Sequence, residues 1–248
     1  MKTAFIVLVG LLASSRDPRT GQDVVRAMHD RYAGKWYRTL TFLQRNTAYL
    51  PGDSVQHSTW FERAAIPGSL RIDFRDGPGL PPDGGLLFAH DSQFVVQGDT
   101  LAQATAFIHP LMVLGFDVYA QPVERTIDKL RQLGFDLSAV HEDTWQGRPA
   151  LVVGANAGDL HSRQFWVDKE RLLFVRMLEP GRRDTTKTSE SQFNRYAPFG
   201  AGWVSQEVLF LVGGQRRWLE EYSDVRVDDA LPPGVFDARH WKDTKALP

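Results

Sequence analysis

Alternation of apolar and polar positions is clearest from Leu70 onward, where Leu70, Ile72 and Phe74 alternate with Arg71, Asp73 and Arg75. Successive strand side chains point to opposite faces, so the pattern predicts a strand with one apolar side and one charged, solvent-facing side. Segments of this kind recur. "WYRTLTFLQRNTAYL", "STWFERAA", "SLRIDFRD", "GLLFAHD" and "SQFVVQGD" are each bounded by Gly, Pro, Asp or Asn and read as successive antiparallel strands. "SAVHEDTWQGRPALVVGANAGD" reads as a hairpin turning at Gln146-Gly147-Arg148. "QFWVDKERLLFVRMLEP" reads as two strands around Asp168-Lys169-Glu170-Arg171. After the polar loop "GRRDTTKTSESQ", the strands "FNRYAPF", "GWVSQEVLFLVGG" and "QRRWLEEYSDVRVD" close the series, followed by a tail ending in "FDARHWKDTKALP".

Helical spacing interrupts this series. Val24, Val25, Met28 and Tyr32 predict a short amphipathic helix over 23–33, stopped by Gly34. Between Thr100 and Leu133, Leu101, Ala104, Phe107, Ile108, Leu111 and Met112 recur at helical period. Val123, Ile127, Leu130 and Leu133 do so again after Pro122. The expected architecture is mainly β (α+β): a strongly curved antiparallel half-barrel of about ten to eleven strands, with amphipathic helices covering its concave face. No low-complexity linker or repeat period divides the chain, so a single domain is expected over 16–248.

Strand parity assigns Leu40, Phe42, Leu70, Ile72, Phe74, Phe94, Val96, Phe165, Val167, Val175, Met177 and Phe210 to the inward face, with Leu111 and Met112 facing them from a helix made within Thr100 to Leu133. Such residues fill a core or line an apolar cavity equally well, and the pattern leaves both readings open.

The chain has seven Trp and fifteen Phe, ample apolar surface for either use. Its formal net charge is -1, with both signs interleaved, which gives no electrostatic footprint for nucleic acid. It contains no Cys, so burial rather than disulfides must hold the fold, and thiol chemistry is excluded. Lys2, the ten-residue apolar run Ala4 to Ala13 and the small pair Ala13 and Ser15 match a secretory signal peptide over 1–15. That run is half of the roughly twenty residues a membrane span needs. A periplasmic or secreted location is therefore expected.

Catalytic signatures are sparse. The seven His are scattered at His29, His57, His90, His109, His141, His161 and His240, without zinc spacing. Neither a G-x-S-x-G elbow nor a usable S-x-x-K is present. "GANAGD" at Gly154 to Asp159 precedes a strand rather than a helix, which suits a bend better than a dinucleotide turn. The carboxylates Asp73, Asp117, Asp168, Glu220 and Glu221 read as solvated faces and turns. No catalytic residue, metal site or cofactor is expected, and the chain reads as a non-enzyme.

Particular residues carry a family likeness. The strand pair around Trp166, Val167, Asp168 and Lys169, preceded by "WQGRPALVVGA", and the later run Tyr222, Asp224, Val225, Val227, Asp228, Leu231 and Phe236 resemble the bacterial LolA/LolB-like superfamily of outer-membrane lipoprotein-sorting proteins. The opening helix and "WYRTLTFLQ" look like that family's first helix and strand. The resemblance implies an incomplete antiparallel barrel with a helical lid over an apolar cavity. It also implies a lipid or lipoprotein acyl chain as ligand. An envelope sensor signalling to a membrane-associated protein partner is the alternative on the same fold. Two departures are the long "FRDGPGLPPDGG" loop and the extra tail.

Overall fold

The computed structural model describes residues 18–78, 84–98 and 100–244. The expected signal peptide, residues 1–15, lies outside them. Thirteen strands form one antiparallel sheet: β1 (Thr39–Tyr49), β2 (Val55–Ala65), β3 (Ser69–Asp76), β4 (Gly85–Ala89), β5 (Ser92–Gln97), β6 (Thr100–Ala106), β7 (Val140–Trp145), β8 (Arg148–Val153), β9 (Gln164–Asp168), β10 (Phe174–Pro180), β11 (Thr188–Phe199), β12 (Gly202–Val212) and β13 (Gln215–Val227). Their order across the sheet is β6-β5-β4-β3-β2-β1-β13-β12-β11-β10-β9-β8-β7. Every strand thus pairs with a sequence neighbour except at one seam, where β1 meets β13 (Gln44 opposite Tyr222, Asn46 opposite Glu220). The sheet is strongly curved and does not close.

Three helices cover the concave face: α1 (Gly21–Tyr32), α2 (Pro110–Gly115) and α3 (Val123–Gln132). Thr20 and Asp23 form a reciprocal capping box that starts α1. Its buried Val24, Val25 and Met28 join Leu151 and Val153 of β8, Phe165 and Val167 of β9, and Ile127 and Leu130 of α3 in one core. Burying each such side chain is worth about 1.5–3 kcal/mol. α1 and α3 therefore fill the trough on the β8–β10 side.

The segment Thr100–Ala106 is the edge strand β6, not helix. It pairs with β5, and all seven of its residues are exposed. Its apolar positions imitate a helical period, but its polar Thr100, Gln103 and Thr105 suit an edge strand. The helical lid is correspondingly shorter, and α2 begins only at Pro110. The described residues form thirteen strands where about ten to eleven were expected, and β6 is one that the sequence reading placed in a helix.

A bulge interrupts β10 between Phe174 and Arg176. There the Phe174 N–H donates to Tyr119 Oη (2.9 Å), and the Phe174 carbonyl accepts from Tyr196 Oη (2.5 Å). Tyr119 stacks on Trp36 at 4.0 Å between centroids, so the lid is pinned to the sheet where the ladder is broken. In the turn before β10, Asp168 accepts from Arg148 Nε (2.6 Å) and from the Glu170 and Arg171 N–H groups. This gives the Asp of the W-V-D-K turn a structural task.

At Arg71 and Asp73 the charged face of β3 is not solvated, whereas Arg75 is exposed. Arg71 has no exposed surface, and Asp73 is buried. Arg63 Nη2 and Arg71 Nη2 each donate to Asp73 at 2.7 Å, while the C-terminal segment supplies the remaining acceptors: Thr244 O to Arg63 (2.7 Å), Thr244 Oγ1 to Arg71 (2.6 Å) and Trp241 O to Arg71 (3.0 Å). The Trp241 ring lies 3.7 Å from the Arg71 guanidinium. Two cations against one carboxylate are thus completed by carbonyls and an indole face. Gly85 lets this strap seat: a Cβ there would stand 2.7 Å from the Trp241 ring and 2.0 Å from Ile72 O.

Three outcomes are expected. Arg71→Ala takes a donor away from Asp73, Thr244 Oγ1 and the Trp241 carbonyl and should lower the unfolding free energy by about 3–5 kcal/mol. Arg26→Ala, which breaks the exposed ion pair of Arg26 with Glu124 (3.4 Å), should change it by less than about 0.5, both read from urea midpoints. Tyr119→Phe orphans a buried N–H and should cost about 1–3 kcal/mol on the same assay.

Candidate functional site

Where α1 and α3 end, the trough stays unfilled. A cavity of about 220 Å³ lies between α2 and the inner faces of β1, β2, β3, β4, β12 and β13. Alternation sets its walls: Leu40, Phe42 and Gln44 from β1, Trp60, Glu62 and Ala64 from β2, and Leu70 and Ile72 from β3. Leu111 and Met112 of α2 roof it. His109 starts that helix, its Nδ1 accepting the Met112 N–H (3.4 Å), with Pro110 in the first turn. Burial, and then Arg182, hold the His109 ring down to about 4, so it is neutral near pH 7. Asp117, just beyond α2, accepts the Gly68 N–H (2.9 Å) and is pushed up to about 6 by burial. This bond ties the lid to the β2–β3 turn.

The structure brings together seven of the sequence-predicted positions on this cavity: Leu40, Phe42, Leu70, Ile72, Leu111, Met112 and Phe210. Phe74 packs against Trp60 at 5.3 Å, beside Ile72 and Leu70, without lining the cavity. Phe165, Val167 and Met177 face the concave side but are packed beneath the helices in the core. Three assignments are corrected. Phe94 and Val96 lie on the convex face with Leu87, under Trp241; their shared parity is right, but parity does not say which face is concave, and the tail buries the other one. Val175 joins Trp166, Val152 and Leu178 in a convex cluster, because the β10 bulge reverses the alternation between Val175 and Met177.

The polar residues of the cavity were not anticipated. Glu62 is 4% exposed, and burial, with the charge of Glu220 added, holds its carboxyl well above the usual range. Glu220 accepts from Trp218 Nε1 (3.1 Å) and Tyr222 Oη (2.8 Å), and burial pushes it up to about 7. The indole N–H of Trp60, on the same wall, has no hydrogen-bond partner among the described residues. The available signal was "TWFERAA", where Trp60, Glu62 and Ala64 share a face: a lone Glu on an otherwise apolar face.

A surface groove of about 670 Å³ borders the cavity, sharing Phe88, His109, Leu111 and Phe210 with it. It also carries Arg182, Arg183 and Lys187. Among the described residues no group of three or more His, Asp or Glu could hold a metal ion, and no described helix is long and apolar enough to cross a membrane.

No family model matches the sequence, and no curated protein sequence matches it. Solved structures do. A DUF1329 family protein from Desulfovibrio piger is 13% identical, with 88% of this chain and 95% of that one covered and a TM-score of 0.58. An outer membrane lipoprotein-sorting protein domain from Vibrio parahaemolyticus is 12% identical over 90% and 98% of the two chains, with a TM-score of 0.59. A LolA superfamily protein from Nitrosomonas europaea is 12% identical over 88% and 97%, with a TM-score of 0.50. Matches of nearly full length, together with the open antiparallel sheet and its helical lid, establish that this chain has a LolA-like fold.

Proposed function

We propose that this protein is an exported, non-enzymatic carrier that takes a lipid or lipoprotein acyl chain into the cavity under α2, for transport or sorting to the outer membrane. The observation that carries this reading is the cavity itself. Its walls are mostly aromatic and aliphatic, and it lies where a folded domain would otherwise close its core. The LolA-like fold and the lipoprotein-sorting description of the Vibrio parahaemolyticus domain support it.

Size sets the terms. A volume of 220 Å³ is below the roughly 300–1,000 Å³ of small-molecule sites. At about 30 Å³ per water-sized group it admits roughly seven methylenes. At about 0.8 kcal/mol per CH₂ this is on the order of 6 kcal/mol of gross transfer free energy, before association costs. A longer chain extends into the bordering groove along Phe107, Met177 and Leu211.

Mass spectrometry of organic extracts from the natively purified protein tests the proposal, beside Met112→Trp and Phe42→Trp variants that fill the cavity. An acyl species is expected with the unaltered chain and should be lost from both variants. Nothing bound in any of the three would mean the apolar wall is simply core. A stoichiometric protein partner in place of lipid would favour the sensor role.

A further inference from the structure

One end of the cavity is unlike the rest. Under α2 it is lined mainly by Leu40, Leu70, Ile72, Phe88, Leu111 and Met112, but toward the β1–β2 turn its wall carries Trp60, Glu62, Glu220 and Tyr222 around Gln44, which lies opposite both Trp60 and Tyr222 in the sheet. Aromatic rings pair there: Trp60 with Trp218 at 5.5 Å and Phe42 with Tyr222 at 4.3 Å. Two carboxyl groups facing one apolar cavity call for a cation, yet among the described residues no Lys, Arg or His forms an ion pair with either. Glu62 on this wall is almost wholly buried, and Trp60 beside it on the same wall has an indole N–H without a hydrogen-bond partner among the described residues. Buried charges are ordinarily paired, and the pairing group missing from the protein is what a ligand can bring.

We infer that this acid–aromatic end binds an organic ammonium, the cationic head of a single-chain amphiphile whose alkyl part lies beneath Leu111 and Met112. The inference rests on the cavity being a lipid site and specifies the class of lipid. Aromatic faces and carboxylates together suit an alkylammonium, which keeps apolar surface next to its charge. A bare divalent ion is a poor match, because it needs about six to eight oxygen ligands and the two carboxyl groups here sit among the Trp60, Trp218, Phe42 and Tyr222 rings. The titratable groups facing the cavity are Glu62, Glu220, Tyr222, His109 and Asp117. The last two belong to the lid end, where His109 is neutral and Asp117 already accepts the Gly68 N–H. Protons compete with the ammonium for the carboxyls, so binding strengthens as pH rises through the titration of Glu220 at about 7.

The test is a titration of the purified protein, followed by tryptophan fluorescence, with octylamine, octanol and octanoate, probes of one chain length. At about pH 8 octylamine should bind roughly tenfold or more tightly than octanol, octanoate should bind more weakly than octanol, and the amine should lose about tenfold by pH 6. Glu62→Gln combined with Glu220→Gln, which keeps side-chain shape, should erase the amine preference and its pH dependence while octanol still binds. Octanol binding without any amine preference would overturn this inference and leave the carrier reading standing. So would a preference that survives in the glutamine variant. Calcium ions blocking the site, with no amine preference, would replace the ammonium by an inorganic cation. Failure of all three probes to bind would overturn both readings. Should the double variant not fold, the single Glu62→Gln variant and the pH series on the unaltered protein decide the matter alone.

Discussion

The two edges of the sheet, β6 and β7, follow one another in the chain, so the segment joining them must travel from one rim of the half-barrel to the other. Everything on the concave side follows from that crossing. The connection carries α2 and α3 over the trough, and α1 docks beside α3 against β8. The covering is uneven: α1 and α3 fill one half with Val25, Met28 and Leu130, whereas the six-residue α2 covers the other half with little more than Leu111 and Met112. A short helix held by a His109 cap and an Asp117 bond at its two ends is what turns half of a core into a cavity.

Much of this was legible in the residues. Alternation located the strands, and the helical spacing of Val24, Met28, Ile127 and Leu130 located α1 and α3, because these elements bury one face and expose the other. Legibility failed where a face was buried by something distant in sequence. Arg71, Asp73 and Arg63 look like a wet strand face, and only the arrival of Trp241 and Thr244 makes them an interior. Phe94 and Val96 fail for the same reason. Val175 fails locally, since a single bulge changes which residues look inward and nothing in "LLFVRMLE" announces it. Thr100 to Ala106 shows that apolar spacing over one edge strand is too short a sample to separate two periods.

The candidate site was half legible. Its apolar wall obeys parity, so Leu40, Phe42, Leu70 and Ile72 were identifiable. Its polar end was not, since Glu220 and Glu221 are adjacent acids on one strand, and only the sheet decides that Glu220 turns inward, where Tyr222 and Trp218 hold it. Acidic groups in an apolar hollow weaken a fold. Their presence marks this end of the cavity as shaped by something other than stability.

The seam between β1 and β13 also governs how the molecule is assembled in time. The strands on either side of it meander between neighbours and form from local contacts. The seam joins Leu40 to Val227 and Ala48 to Trp218, and its partners are the first and last of the described strands in chain order. Closing so long a loop is slow. Until β13 is in place, β1 remains an open edge with a row of unpaired backbone groups, and the growing sheet is a template for aggregation. A chain of this topology needs protection until its last strand arrives.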